Sequence, residues 1–280
     1  MAHSPPNTTS ADTVVINQRY FREKCGAAFV EESPHLKHAA VGDLCGRIAT
    51  EALQRARPEA RPATVLDMGA GDGMLTLPYL SLGAQVVAAD ASDELLQSLR
   101  AKAGAQQDAL TFMAGDIFAT LEKLRAGDRQ FDIVCASSFL HHIPDYLELC
   151  RQAAALVRPG GVFFTFQDPL RYDTLGRTTY VLDRASYFWW RLFQGNYLRG
   201  AQTRLRRLTG SYRDDLAADT AEYHVVRNGV DQVAVQQLFE AAGFDCSIRP
   251  YWSTQSTLGQ RLGQRLKFTN TFGIMGQKQA

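Results

Sequence analysis

Residues 63–80 read ATVLDMGAGDGMLTLPYL and place Gly69, Gly71 and Gly73 within five positions, directly behind an apolar run. Glycine permits positive φ and lets ligand atoms touch the main chain where a Cβ would block them. A strand passing through such a turn into a helix presents it at the C-terminal edge of a parallel sheet, where open α/β sheets bind ligands. Two cofactor classes use this kind of turn. A dinucleotide site wants G-x-G-x-x-G, so that a pyrophosphate rests on the helix N-terminus. Here the third glycine falls at 73 and position 74 is Met, so the pattern is D-x-G-x-G-x-G. Asp67 and Asp72 repel a pyrophosphate and favour a ligand carrying an ammonium. Asp90 closes the next apolar run about twenty residues after the glycines, a spacing that suits an acid binding ribose hydroxyls.

Residues able to move a proton lie further on. His141 and His142, in SSFLHHIPD, follow the end of the apolar run FDIVCAS. Histidine near pKa 6.5 suits proton removal at neutral pH; the competing reading is that the pair braces the loop. Asp168 ends GVFFTFQD. Glu222, Tyr223 and His224 stand together in AEYHVVRNG, where Glu222 could orient His224 as a base.

The elements that must position these residues are legible as alternation. TVLDM (64–68), QVVAAD (85–90), LTFMAGD (110–116), FDIVCAS (131–137) and GVFFTFQD (161–168) read as strands, mostly continuously apolar as strands covered on both faces should be. Between them DELLQSLRAKA, capped by Ser92 or Asp93, and YLELCRQAAALV, opened by Asp145 with Glu148 at capping-box spacing, read as helices. Leu147, Cys150, Ala154 and Val157 share one face of the second. This alternation predicts a doubly wound parallel sheet with right-handed crossovers. Near the end, DQVAVQQLFEAAGF (231–244) is a helix capped by Asp231 and stopped at Gly243. The runs 245–254 and 268–277 read as two strands joined without a helix of normal length, giving one antiparallel strand near the sheet edge.

The 280 residues are 45% apolar and 21% charged, with a net charge of +1, so no global field draws the chain to nucleic acid or membrane. Five scattered cysteines without a C-x-x-C pair argue against a disulfide framework and a thiolate zinc site. No apolar run approaches the ~18 residues that span a bilayer. The polar start lacks a secretory signal, and the expectation is a soluble cytoplasmic protein.

Beyond these single features, VLDMGAGDGMLTL resembles motif I of the class I S-adenosylmethionine-dependent methyltransferases. The likeness continues in register over roughly residues 60–168 and more loosely to 277. It implies a Rossmann-like α/β fold: a doubly wound, mostly parallel seven-stranded sheet with one antiparallel strand, plus a helical lid insertion. It implies S-adenosylmethionine as cofactor, held by Asp67, Gly69, Gly71, Gly73, Asp90, Ala91, Asp116, Ile117 and Ser137. By that likeness Asp67 serves the methionine end, Asp90 the ribose, Asp116 the adenine amino group, and Ile117 packs on the adenine ring. Ser137 is a candidate for the methionine amine. VRPGG (157–161) resembles the family's turn before strand 5, with Gly160 and Gly161 reversing the chain. His142, His141 and His224 are the candidate catalytic residues. Tyr20 and Phe21, in NQRYF, either fold over the cofactor or pack in the core. No carboxylate cluster suggests a metal.

Five parts are expected: a disordered N-terminus (1–12), a helical cap (13–58), the cofactor-binding core (59–168), a lid (169–230) and the C-terminal part of the core (231–280). The lid carries RASYFWWRLFQGNYLRG (184–200). Tyr187 and Trp190 there, with Tyr20, Asp168 and Tyr223, are candidate substrate residues. Its aromatics either line an apolar pocket or pack the lid on the sheet. Residues 168–213 hold nine arginines against Asp168, Asp173 and Asp183. They admit an anionic or carrier-linked substrate, peripheral membrane contact or a solvated helix face.

Together these features predict methyl transfer to a small aromatic, polyketide-like or lipid-like acceptor, most simply O-methylation in secondary or cofactor metabolism, by a monomer or homodimer. N- or C-methylation is the alternative. A nucleic-acid enzyme is disfavoured because SSFLHHIP lacks a Pro-Pro-aromatic core for a flipped base. A protein methyltransferase and a non-catalytic S-adenosylmethionine-binding protein remain as other classes.

Overall fold

A computed structural model describes residues 33–56, 61–193 and 228–280. Strands β1 (Thr64–Met68), β2 (Gln85–Asp90) and β4 (Phe131–Ser137) have the bounds their apolar runs predict; β3 spans Leu110–Ala114. Gly115, with φ +124°, and Asp116 leave the sheet at its end. β5 (Val157–Phe166) and the two-residue β6 (Asp168–Pro169) lie in line along β8 (Thr271–Lys278), separated at Gln167, whose φ is +67°. β7 (Phe244–Tyr251) pairs with β8 from the other side. The order is therefore β3-β2-β1-β4-β5-β8-β7, with β6 continuing β5. β8 alone runs antiparallel to its neighbours. The expected sheet with one reversed strand is borne out.

Helices cover both faces. α1 (Pro34–Lys37), α2 (Ala39–Ala56), α3 (Thr76–Ser81) and α4 (Asp93–Ala103) are followed by α5 (Ile117–Ala126), α6 (Tyr146–Ala155) and α7 (Arg177–Phe193). α8 (Gln232–Ala241) and α9 (Thr257–Arg265) complete the described helices. Successive strand residues feed opposite layers, as the pleat requires. Leu66, Val134 and Phe163 join Leu149 of α6 and Phe239 of α8 in one core; Val65, Ile133 and Phe164 join Ile48 of α2, Tyr79 of α3 and Leu99 of α4 in the other. The caps fall where polar side chains can reach free N–H groups: Ser92 on Leu95, Asp116 on Ala119, Asp145 on Glu148 and Asp231 on Ala234.

Three expectations need correction. VRPGG is a bulge inside β5, not a turn before it: the pairing slips from Phe131 with Val157 to Ile133 with Val162. Gly160 turns there at φ +74°, and a Cβ on Gly161 would lie 2.9 Å from the Asp132 carbonyl oxygen. On α6 the buried residues are Leu149, Cys150, Ala153 and Ala154, while Leu147 is half-buried, so the apolar face is turned from the one expected. Between β7 and β8 stands α9, nine residues long and capped by Ser256. Its Gly259 and Gly263 sit where a Cβ would strike Ser186 at 2.4 Å and Trp252 at 2.3 Å. Close packing against α7 and Trp252 holds this glycine-bearing segment helical.

At the sheet end opposite the glycine turn, Asp132 accepts from both Arg61 guanidinium nitrogens (2.7 and 2.6 Å), Arg158, and the Thr64 N–H and hydroxyl. Burial pushes its carboxyl up, but those donors outweigh burial and hold it well below the carboxylate range. On the far edge Glu51 of α2 pairs with Arg249 of β7, tying that helix to the sheet. The four described cysteines, Cys45, Cys135, Cys150 and Cys246, are free thiols.

Candidate active site

The sheet order brings the predicted acids to one edge. β3, β2, β1, β4 and β5 end side by side, carrying Asp116, Asp90, the turn after Asp67, His141 with His142, and Asp168. Backbone bonds tie those ends together. Gly69 and Ala70 N–H groups both donate to the Ala89 carbonyl (2.8 and 3.0 Å), and Gly115 N–H donates to Asp90 O (3.0 Å).

Each glycine of the turn has its own reason. Gly69 has φ +68°, and a Cβ there would lie 2.3 Å from the Phe139 ring. Gly73 has φ +105° and would meet Leu99 at 2.5 Å, so its bareness lets the following helix close on the core. Gly71 has φ +54° and nothing within 4 Å of a Cβ. It is the open side of the turn, where a ligand can reach backbone. Its N–H donates to Asp90 Oδ2 (2.8 Å), while Asp90 Oδ1 takes the Ser92 N–H (2.8 Å). Burial pushes the Asp90 carboxyl up; the Ser92, Gly71 and Ala91 N–H groups pull it back.

Asp67 lies beneath the turn, 1% exposed, its Oδ2 taken by the Thr76 hydroxyl at 2.7 Å and its Oδ1 3.9 Å from the Cys135 sulfur. Burial above all, with the charge of Asp90, pushes it up to about 6 against the Thr76 hydrogen bonds. Two largely buried carboxylates close together, with no cation hydrogen-bonded to Asp67 among the described residues, fit a cationic ligand and oppose a pyrophosphate. Asp72 is different: its charge is spent on Lys102 of α4, so it adds no acceptor to the turn. Ile117 is 7% exposed and packs in the core with Leu121 and Leu124, leaving little surface for an adenine.

β4 touches the turn from the other side. Ser137 Oγ lies 3.7 Å from the Met74 sulfur, and Phe139 covers Gly69. The single turn Leu140–His142 follows directly after Phe139. His141, 4% exposed, places Nδ1 2.8 Å from Asp168 Oδ1, which also accepts the His141 N–H at 3.2 Å. His142 is half-buried, with its ring centroid 4.1 Å from that of His141. Asp168, read from sequence as a substrate residue, is thus bound to a histidine. The histidine–carboxylate pair assigned to His224 and Glu222 has a described counterpart in His141 and Asp168. Tyr20, Phe21, Glu222, Tyr223 and His224 lie outside the described residues. Among the described residues no group of three His, Cys, Asp or Glu could hold a metal ion.

A family model described as "Methyltransferase domain" matches residues 40–247, well over half of the chain. This chain belongs to that family. The expected family, fold class and cofactor, S-adenosylmethionine, are borne out with it. Among curated relatives, the methyltransferase is similar to the ubiquinone biosynthesis O-methyltransferase of Parvibaculum lavamentivorans, 29% identical over 52% of this chain and 60% of the relative. Its likeness to the enzyme of the same name from Xanthomonas axonopodis pv. citri is 38% identity over 44% of this chain and 47% of the relative. The match thus spans about half the length of these relatives. Among solved structures, magnesium protoporphyrin IX methyltransferase from Synechocystis PCC 6803 with bound SAH shares the fold at TM-score 0.55 and 15% identity, covering 95% of this chain and 100% of that one. A putative sarcosine dimethylglycine methyltransferase from Galdieria sulphuraria aligns at TM-score 0.53 and 14% identity, over 96% and 98%.

α7, in the segment expected to form a lid, is anchored by its inner face. Asn270 donates to Asp183 Oδ1 (2.7 Å), and Ser186 fills the space Gly259 leaves. Trp190 is 8% exposed with its ring centroid 5.8 Å from that of Tyr187, and its buried Nε1–H has no acceptor among the described residues. Leaving such a donor unmade costs about 1–3 kcal/mol. Sequence reasoning missed Phe139, Thr76 and the His141–Asp168 bond. An aromatic two residues past a strand end and a threonine three past the last glycine were the signals available for the first two.

The Asp67 environment makes a prediction. Its folded-state pKa of about 6 lies above the ordinary carboxylate value, so its ionised form destabilises the fold once pH rises through about 6. Asp67→Asn keeps an acceptor for Thr76 and removes the charge. It should raise stability at pH 7.5 by about 1–3 kcal/mol, with the gain vanishing below about pH 4, while weakening SAH binding. Thermal melts at the two pH values check it; a lower melting temperature at pH 7.5 contradicts it.

Proposed function

We propose that this methyltransferase moves the methyl group of S-adenosylmethionine to an oxygen of a small aromatic or lipid-like acceptor. The observation that carries the reading is Asp168 Oδ1 holding His141 by both Nδ1 and backbone N–H, with the half-buried His142 ring beside it, tilted by 42°. When bound, the cofactor supplies an electrophilic methyl on a cationic sulfur. Asp90 would take the ribose hydroxyls, the open backbone at Gly71 would lie along the nucleoside, and the charges of Asp67 and Asp90 would favour the cation. Asp116, Ala91 and Ser137 complete this proposed set.

A phenolic acceptor, with pKa near 10, is mostly protonated at neutral pH and needs a base. His142 would take that proton on a ring nitrogen and pass it to solvent, which its partial exposure permits. With Asp168 ionised, His141 Nδ1–H donates to it, and the electron-rich imidazole then lies beside the imidazolium formed on His142, ring centroids 4.1 Å apart. Holding the acceptor oxygen in line with the methyl group and its sulfur, with the base in reach of the acceptor proton, would be the chief contribution of such a site. Trp190 Nε1–H would donate to an acceptor oxygen, and Tyr187 would line the same lid. Supporting the oxygen acceptor further, the curated relatives are named O-methyltransferases.

The test uses a catechol bearing an isoprenoid tail and methyl-labelled S-adenosylmethionine. The expected product is one methyl heavier with the label on oxygen. Label on carbon or nitrogen of parallel amine and enol probes, with none on the catechol, would overturn the oxygen assignment.

A further inference from the structure

Ten large apolar side chains among the described residues are exposed, and eight of them belong to two helices that pack together. Tyr180, Val181, Tyr187, Phe188 and Trp189 lie on α7; Leu258 and Leu262 lie on α9, with Leu266 at its C-terminal cap. Val181 and Leu258 are each 65% exposed and Phe188 58%. These side chains are not waiting to close on the core, because the inner faces of both helices are already engaged. Ser186 meets Gly259, Trp252 Nε1 donates to Gly259 O (3.0 Å), and Asn270 holds Asp183.

The charge around this patch is predominantly positive. Arg177 and Arg184 stand on α7, Arg261 and Arg265 on α9, and Lys267 just beyond it, all exposed. The single acid in residues 177–193 and 257–267 is Asp183, bonded to Asn270 and Arg184. The whole chain carries only +1, so positive charge is gathered here rather than spread.

We infer that the outer surface of α7 and α9 docks on an anionic lipid bilayer. Interfacial helices combine aromatic and leucine side chains with arginine in this way, the apolar groups entering the headgroup boundary while the cations meet anionic lipid. Each Lys or Arg near such a surface contributes about 1 kcal/mol. A second copy of the chain fits less well, since a two-fold face would set these arginines against their own images. No described helix is long and apolar enough to cross a membrane, so the contact is peripheral. The inference holds whether the acceptor is lipid or water-soluble.

Flotation of the full chain with vesicles tests it. Binding is expected to vesicles of phosphatidylcholine with 30 mol% phosphatidylglycerol, at least tenfold above pure phosphatidylcholine, and to fall several-fold in 0.5 M NaCl. Val181→Ser with Phe188→Ser and Leu262→Ser, and separately Arg177→Gln with Arg261→Gln and Arg265→Gln, should each lower partitioning at least tenfold. SAH affinity and melting temperature should stay as in the parent. Equal flotation with both vesicle types, variants that float like the parent, or a concentration-dependent dimer without flotation would each overturn it.

Discussion

Asp90→Ala is expected to lower SAH affinity by at least about a hundredfold. The carboxylate stands at the end of β2 beside the open glycine, bonded through Oδ2 to Gly71 N–H and through Oδ1 to Ser92 N–H. Each hydrogen bond to a charged group contributes roughly 1.5–3 kcal/mol, so two ribose hydroxyls amount to about 3 kcal/mol or more, a factor of about 100. Burial disfavours the charged form of Asp90 in the free protein and offsets part of the loss of its bonds to Gly71 and Ser92, so the fold should persist with at most a modestly lower melting temperature. Loss of affinity without loss of fold is the signature. Calorimetric titration with SAH measures it, and an affinity within threefold of the parent would contradict the assignment.

His142→Ala should lower kcat by about 10²–10⁴-fold on a phenolic acceptor while leaving SAH affinity unchanged, the range for loss of a positioned general base. The proton must leave the acceptor, so the parent rate should fall as acid protonates the base. That acid limb should flatten in the variant. His141→Ala should also slow turnover, but with a loss of stability, because it strips a partner from the fully buried Asp168. Near-parent rates for His142→Ala across the pH range would leave the pair as a loop brace.

What the chain reveals on paper is its strand ends. Continuous apolar runs stopped by Asp, Gly or Ser set β1, β2 and β4 to the residue, and Asp90 and the glycines follow because their place depends only on local sequence. What stayed hidden depends on contacts between distant residues. Asp168 and His141 are 27 positions apart and meet because β4 and β5 are neighbours. Asp72 sits within the motif, yet Lys102, 30 residues on, takes its charge. α9 was unreadable because TLGQRLGQR carries two glycines, poor helix formers that Trp252 and Ser186 require to be bare. The Gly69 requirement was read as ligand access, whereas Phe139 explains it and Gly71 carries the access.

The central claim is that the turn after β1, with Asp67 and Asp90, accepts a cationic nucleoside and refuses a pyrophosphate. Parallel calorimetric titrations of the full chain with S-adenosylmethionine, SAH and NADH test it most directly. The account predicts one site for S-adenosylmethionine and SAH and no heat from NADH. Saturable NADH binding with neither methyl-cofactor bound would contradict it.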